Sequence, residues 1–315
     1  MFNLFTLLSV FVSIAFAVDE LPTLNIDGFS WAESLAFDGL GGMFVSDAVL
    51  GQFFKIELCN DGKEYCKEVY LDEGISQFGG IQVQSDGLIV YVGVTFDDKS
   101  QGIISAPTSN AEGKYTIIAK TPNQPNGLAF DEKMNVLFYT DEGTGSEEGG
   151  TVCSVNMNNG QQIVLKDQVS GADGCYFDEV TRKLFIGELF SKKILVFDII
   201  DATTTKLLDT YIGLNEALGH KDMLDDIVLV NNTSNPIENT QLFGCDWTGK
   251  SIQQFSLDGS IVSKVSLPDS LELYQPTCVR WGIGPGFDKN SIYITEGGGI
   301  TKHQDNRRVI QIKMN

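Results

Sequence analysis

The chain contains little positive charge. Its 22 Lys and Arg residues stand against 42 Asp and Glu residues, which gives a formal net charge of −20 and an isoelectric point near 4.3. Such a surface repels nucleic acid and anionic lipid, so we expect neither as a partner. No two cysteines have the CxxC spacing typical of metal sites, and there is no G-x-S-x-G motif, which argues against a serine hydrolase.

Beyond residue 17 the sequence also lacks any apolar run long enough to cross a bilayer. Residues 1–17 are largely apolar and end in Ala15-Phe16-Ala17, the small-x-small pattern of a signal-peptidase site. A membrane anchor is the alternative, but the run is shorter than the ~20 residues of a spanning helix. Its start has no Lys or Arg, unlike a typical leader. We predict a cleaved signal peptide over 1–17 and a secreted protein.

A short phrase recurs at intervals of about 47 residues. Its six copies read ESLAFD, GGIQVQ, NGLAFD, DGCYFD, DDIVLV and PTCVRW, and they start at Glu33, Gly79, Asn126, Asp173, Asp225 and Pro276. Short β-branched and aromatic runs separated by Gly, Asn and Asp turns follow each copy, as in an antiparallel meander. This period is typical of propeller blades. We predict an all-β, six-bladed β-propeller of four-stranded antiparallel blades in a single domain over 18–315.

The repeat plan also assigns loops to the two faces of the ring. Residues 21–29 are expected to add the outer strand to the last blade and so close the ring, which removes an open sheet edge. The loops between second and third strands share the face on which each phrase begins. Glu142 and His303 lie in such loops, and His220 lies in the connection that enters the fifth blade on the same face. All three are therefore possible pocket residues. A solvent-exposed loop position is the plainer interpretation of each histidine.

The first letter of the phrase is the candidate functional position. Equivalent positions in a closed ring converge on its axis, and four of the six carry carboxylate or amide oxygens: Glu33, Asn126, Asp173 and Asp225. Hard oxygen ligands suit calcium, whereas no thiol or histidine shares the register that zinc would need. Asp and Asn before Gly also start turns very often, so a metal site is one of two interpretations. A purely structural ion at the axis is a third.

The phrases AESLAFD (32–38), PNGLAFD (125–131) and ADGCYF (172–177) resemble the gluconolactonase/regucalcin (senescence-marker-protein) family of six-bladed propellers. Paraoxonases and squid diisopropylfluorophosphatase are more distantly similar. The resemblance implies one divalent cation, usually calcium, held by Glu33, Asn126, Asp173 and Asp225. It also implies that Asp225 is the catalytic base or nucleophile.

Two departures from the family pattern affect this assignment. Asp173 stands where the family commonly has Asn, which adds negative charge to the site. The usual Asp-Gly of the fifth blade is replaced by Asp225-Asp226, so the sequence leaves open which aspartate points inward.

The resemblance implies a secreted, calcium-dependent hydrolase of small lactones or related esters, in which the metal polarises the carbonyl. We expect a monomer. Two alternatives remain open: a non-catalytic extracellular binding propeller with a structural calcium, and a metal-free propeller similar to strictosidine synthase. The sequence does not identify the ester or show whether phosphotriesters are cleaved.

The six cysteines divide into two groups. Cys59 and Cys66 bracket a turn-like segment between two strand-like runs, and a secreted chain favours their disulfide. Cys153, Cys175, Cys245 and Cys278 lie in apolar strand patterns of different blades, where buried free thiols are expected. Overlapping sequons predict glycosylation at Asn231 or Asn232.

Overall fold

The computed structural model describes residues 21–109, 114–143, 149–191, 193–201, 203–212, 223–230, 241–256, 262–268, 270–298 and 307–314. These residues form six four-stranded antiparallel sheets and no helix, so no described segment is a helix that could cross a membrane. The predicted signal peptide (1–17), both histidines and both predicted glycosylation sites lie outside the described residues.

The 24 strands follow the chain blade by blade. Blade 1 contains β2 (Ala32–Phe37), β3 (Gly42–Asp47), β4 (Gln52–Leu58) and β5 (Tyr65–Leu71). Blade 2 contains β6 (Ile75–Val83), β7 (Ile89–Phe96), β8 (Gln101–Pro107) and β9 (Thr116–Thr121). Blade 3 contains β10 (Pro125–Asp131), β11 (Val136–Asp141), β12 (Gly150–Asn156) and β13 (Gln162–Val169).

The second half repeats the plan. Blade 4 contains β14 (Ala172–Asp178), β15 (Lys183–Glu188), β16 (Lys193–Ile199) and β17 (Thr205–Ile212). Blade 5 contains β18 (Leu224–Val230), β19 (Gln241–Asp246), β20 (Ser251–Ser256) and β21 (Val262–Lys264). Blade 6 contains β22 (Pro276–Trp281), β23 (Ser291–Glu296), β24 (Val309–Lys313) and, from the N-terminal region, β1 (Asn25–Ile26).

The N-terminal strand closes the ring as predicted. Asn25 pairs with Ile310 and Ile26 with Val309, so the outer edge of blade 6 is covered by the start of the chain. Leu24 is buried in the junction between blades 6 and 1. The fold prediction, a six-bladed all-β propeller, is therefore confirmed.

The hydrophobic core is divided among the six junctions between neighbouring blades. At the junction of blades 1 and 2, the ring of Phe53 stacks on Phe44 and on Phe78, with centroids 5.5 Å apart in both cases. Such burial of aromatic faces supplies much of the favourable free energy of a propeller. Because each sheet contacts both neighbours, the packing fixes where every inner strand meets the axis.

The cysteines behave as expected. Cys59 and Cys66 form a disulfide between the end of β4 and the start of β5, at the outer edge of blade 1. The other four, Cys153, Cys175, Cys245 and Cys278, are buried free thiols.

Candidate active site at the propeller axis

The inner strand of every blade contains a register shift where the repeated phrase begins. In blade 3, Pro125 pairs with Asp141 but Leu128 pairs with Tyr139, so Asn126 lies in a β-bulge. The corresponding bulges contain Glu33, Gly79, Asp173, Asp225 and, in blade 6, Thr277. A bulge turns a side chain out of the regular alternation of the strand. Here the bulges contain residues that line the axial cavity in blades 1, 3, 4, 5 and 6.

The structure shifts the start of the sixth copy of the phrase by one residue, from Pro276 to Thr277. The phrase placed Pro276 in the first position, but Pro276 pairs with Glu296 as Pro125 pairs with Asp141. Thr277 is therefore the residue in the equivalent bulge. Its hydroxyl donates to the backbone oxygen of Ala32, at 2.7 Å, and links blade 6 to blade 1.

Glycine follows the bulge residue in three blades because the next blade approaches very closely. A Cβ on Gly127 would lie 2.3 Å from the backbone oxygen of Asp173, and one on Gly174 would lie 2.7 Å from that of Asp225. A Cβ on Gly80 would overlap the backbone oxygen of Asn126 at 1.4 Å. These glycines thus let each blade pack directly on the backbone of the next candidate ligand.

A small cavity at the axis collects the bulge residues of several blades. Its empty volume is about 250 Å³, including the open mouth. All four predicted ligands line this cavity, together with four further polar residues: Glu33, Asn126, Asp173 and Asp225, with Ser34, Asp226, Thr277 and Arg280. The structure brings the predicted set together, and its role as a ligand set stays a prediction.

The carboxylates in this cavity raise one another's pKa values. Burial and the charge of Glu142 raise the pKa of Glu33 to about 7, although a hydrogen bond from the Trp31 indole, 2.6 Å from Nε1 to Oε2, opposes the shift. The pKa values of Asp173 and Asp225 lie well above the usual range, because of burial and the neighbouring carboxylates. Crowded acids of this kind are stabilised by a proton or by a cation.

Asp225 and Asp226 have different surroundings. The Asp226 carboxylate forms an ion pair with the guanidinium of Arg280, donated from Nη1, and both side chains are largely buried. Burial disfavours the charged guanidinium, but the Asp226 charge outweighs it and the pKa of Arg280 is raised. The charges acting most strongly on Asp225 are those of Asp173 and Glu33. Asp225 thus belongs to the carboxylate cluster, whereas Asp226 is neutralised by Arg280.

Glu142, the one predicted pocket residue that lies within the described part of the chain, does not line the cavity itself but contacts Asn126, which does. It directly follows β11, and its Oε1 accepts a hydrogen bond from Nδ2 of Asn126. Burial, partly offset by this hydrogen bond, raises its pKa. Glu142 therefore adds a fourth carboxylate to Glu33, Asp173 and Asp225.

Sequence reasoning missed Arg280 and Trp31. When the sixth phrase is started at Thr277, Arg280 becomes its fourth letter, where the other five phrases have Ala, Gln, Ala, Tyr and Val. A single charged residue at an otherwise uncharged position of the repeat could have indicated a role for Arg280. Trp31 precedes Glu33 by two residues, but nothing in the pattern shows that its indole reaches the carboxylate.

The cluster is not a preformed metal site. Within the described part of the chain, no three His, Cys, Asp or Glu side chains are already placed to hold one ion. Two candidate ligands have other partners instead: Glu33 accepts from Trp31, and Asn126 donates to Glu142.

Comparison with known proteins supports the fold and leaves the function open. No family model matches the chain, and no curated protein matches it in sequence. Among solved structures it is similar to regucalcin from Agrobacterium tumefaciens, described as a calcium-binding protein, at 15% identity and a TM-score of 0.65, covering 94% of this chain and 96% of that one.

Two further solved structures have comparable folds. A luciferin-regenerating enzyme matches at 14% identity and a TM-score of 0.64, covering 92% of this chain and 95% of that one. An auxiliary nutrient binding protein from Bacteroides ovatus matches at 15% identity and a TM-score of 0.65, covering 90% of this chain and 69% of its own. The chain therefore shares its propeller with an enzyme and with a binding protein.

Proposed function

We propose that the protein is a calcium-dependent hydrolase of small lactones or related esters. The observation that carries this proposal is the convergence of Glu33, Asn126, Asp173 and Asp225, from four blades, on one small axial cavity. The similarity in fold to a calcium-binding regucalcin and to a luciferin-regenerating enzyme supports it.

The donor set fits a hard divalent cation. Three carboxylates and an amide share a buried space in which the carboxylates destabilise one another's charge, and calcium prefers such oxygen ligands. Glu33, Asn126, Asp173 and Asp225 would hold the ion once their side chains turn from their present partners. Bound calcium would supply Lewis acidity toward an ester carbonyl and its developing oxyanion.

The chain's own groups then have separate tasks. A carboxylate oxygen of Asp225 accepts the proton of the attacking water, or attacks the carbonyl itself. Asp226 cannot easily replace it, because its charge is already paired with Arg280. In the ion-free protein, the indole of Trp31 fixes the orientation of Glu33 through its hydrogen bond. Burial of the cluster at the axis limits the access of bulk water.

The second candidate is a propeller that binds a small molecule without turning it over. The similarity to an auxiliary nutrient binding protein favours it, as does the hydrogen bond that engages the amide of Asn126 with Glu142. In that case any calcium would be structural.

An ester panel with and without EDTA separates the two. We expect wild-type protein to hydrolyse at least one small lactone, to lose this activity in EDTA, and to regain it with calcium. Asp225→Asn should lose about 100-fold or more in kcat, the range for removing a positioned base. Asp167→Asn, at an exposed acid of the outer strand β13, is the matched control and should retain full activity.

Each negative result has a distinct meaning. Tightly bound calcium without turnover of any ester would favour the binding protein. Full activity in Asp225→Asn would show that Asp225 is not the base.

Secretion, the monomeric state and a small-molecule substrate are part of the same proposal. N-terminal sequencing of the expressed protein, with cleavage expected after Ala17, tests secretion.

A further inference from the structure

Two of the three tryptophans contact each other beside Glu33, which lines the axial cavity. The rings of Trp31 and Trp247 have centroids 6.3 Å apart and planes inclined by 38°. Trp31 directly precedes β2 and donates to Glu33, whereas Trp247 directly follows β19. Its backbone nitrogen donates to the backbone oxygen of Met223, at 2.8 Å, beside the start of the strand that carries Asp225. Each indole thus adjoins the blade of a predicted ligand.

The tryptophan pair (Trp31 and Trp247) joins blades 1 and 5, the two neighbours of blade 6. Blade 6 separates blades 1 and 5. Its Gly297, directly after β23, lies against the indole ring of Trp31. A Cβ on Gly297 would be 2.8 Å from Cε2 of that indole, so a larger residue would displace it. At the ligand position blade 6 carries Thr277, which has no charge.

Two buried polar atoms, one in the pair and one in a residue hydrogen-bonded to Gly297, have no hydrogen-bond partner among the described residues. One is Nε1 of Trp247, a donor, and the other is Oε1 of Gln275, an acceptor. Gln275 is next to Gly297, because its backbone oxygen accepts from the Gly297 nitrogen at 3.0 Å. Unsatisfied buried groups are costly, and a ligand that supplies both partners would remove the cost.

The backbone of Gln275 is also strained. Its φ is +55°, although it is not glycine and it precedes Pro276, a position that favours extended conformations. Strain of this kind is concentrated at ligand-binding positions. Trp281 also has an unpartnered indole nitrogen, but it lies at the far end of β22, against Phe243.

We propose that the tryptophan pair and Gln275 form a binding subsite for a flat aromatic ring that carries a hydroxyl group. The ring packs on the indole face of Trp31, its hydroxyl oxygen accepts from Nε1 of Trp247, and the hydroxyl proton is donated to Oε1 of Gln275. This deepens the proposed function, on which it rests, by naming phenolic esters or lactones as the substrate class. A polyhydroxylated ring is a poorer match, because this donor and acceptor satisfy one hydroxyl only.

Binding of non-hydrolysable probes tests the subsite without any turnover. The probes are 4-hydroxybenzyl alcohol, benzyl alcohol and cyclohexylmethanol, and the readout is the emission of Trp31 and Trp247 in a Trp281→Phe background. We expect 4-hydroxybenzyl alcohol to bind about five-fold more tightly than benzyl alcohol, the size of one net hydrogen bond. Cyclohexylmethanol should bind more weakly than either.

Variants identify the atoms involved. Trp247→Phe keeps a ring but removes the donor, so the preference for the hydroxyl should disappear, and Gln275→Leu should have the same effect. Trp281→Phe alone, assayed by ligand-observed NMR, should leave both affinities unchanged. Equal affinity for all three probes, or a hydroxyl preference that survives both Trp247→Phe and Gln275→Leu, would overturn the proposal.

The failure of this proposal is distinguishable from failure of the proposed function. If esters are hydrolysed but the three probes bind alike, the subsite is wrong and the hydrolase stands. If the probes show the expected order and no ester is hydrolysed, the subsite belongs to a binding protein.

Discussion

The junction between blades 3 and 4 and the junction between blades 5 and 6 solve the same packing problem differently. Both follow a bulge in an inner strand. At the first, Gly127 packs on the backbone of Asp173 with no room for a Cβ. At the second, Asp226 takes the glycine position and pairs with Arg280 of blade 6.

Whether glycine or a charged residue follows the bulge depends on the residue that the next blade places at the axis. Glycines occupy this position where the following bulge carries a predicted ligand: Gly80 before Asn126, Gly127 before Asp173 and Gly174 before Asp225. Blade 6 supplies Thr277 instead, and there a charged pair fills the space. Cys278, before Glu33, is the exception, and its sulfur lies 3.4 Å from the backbone nitrogen of Leu35. Close backbone approach thus accompanies three of the four ligand positions.

Breaking the ion pair should produce the largest effect on stability. Arg280→Ala leaves Asp226 buried without its partner, and we expect the free energy of unfolding to fall by about 3 to 5 kcal/mol. Urea unfolding measures this loss. A loss below about 1 kcal/mol would show that Asp226 does not depend on Arg280.

The double variant Asp226→Gly/Arg280→Ala converts the junction to the glycine type found between blades 2 and 3, where Gly80 and Ala129 hold these positions. Because no unpaired charge remains, we expect it to recover most of the stability lost in Arg280→Ala. A double variant as unstable as Arg280→Ala would contradict this interpretation of the two junctions.

A smaller effect is expected at the glycine junction. Gly127→Ala forces the new Cβ against the backbone of Asp173, and overpacking of this kind costs about 1 to 3 kcal/mol. Gly187→Ala is the matched control, since its Cβ would have 3.0 Å to the nearest atom. Thermal unfolding should rank Gly127→Ala clearly below Gly187→Ala, and the reverse order would argue against close approach at blade 4.

Much of this arrangement could be predicted from the sequence. The period of the phrase predicts the blades, and its first letter predicts which residues converge, since both depend on local pattern and ring symmetry. A bulge leaves no mark in the order of apolar residues. The sequence pattern therefore aligns Pro276, and not Thr277, with the first letter of the phrase. The contacts of Asp226 with Arg280 and of Trp31 with Trp247 join different blades, and side-chain reach across a junction leaves no periodic signal.

The carboxylate cluster at the axis also predicts a response of stability to pH, which should be the smallest of the effects. Glu33 has a pKa raised to about 7 in the folded protein, against 4.5 as its ordinary value. The folded state therefore binds the extra proton between these values, and its stability falls as pH rises from about 4.5 to about 7. Asp173 and Asp225 are shifted in the same direction.

Melting temperatures in EDTA should accordingly be higher at pH 5 than at pH 8. Calcium should reverse this order, because it binds the ionised carboxylates. Glu33→Gln should reduce the pH dependence in EDTA. A metal-free protein that is more stable at pH 8 than at pH 5 would contradict the proposed repulsion among these acids.

Calorimetric titration of calcium into chelator-treated protein tests the central claim most directly, namely that side chains from four blades converge to hold one cation. We expect a single calcium per chain in wild type, a loss of affinity of about ten-fold or more in Asp225→Asn, and little change in Asp226→Asn. Absence of calcium binding in the wild type, or equal affinity in Asp225→Asn, would contradict it.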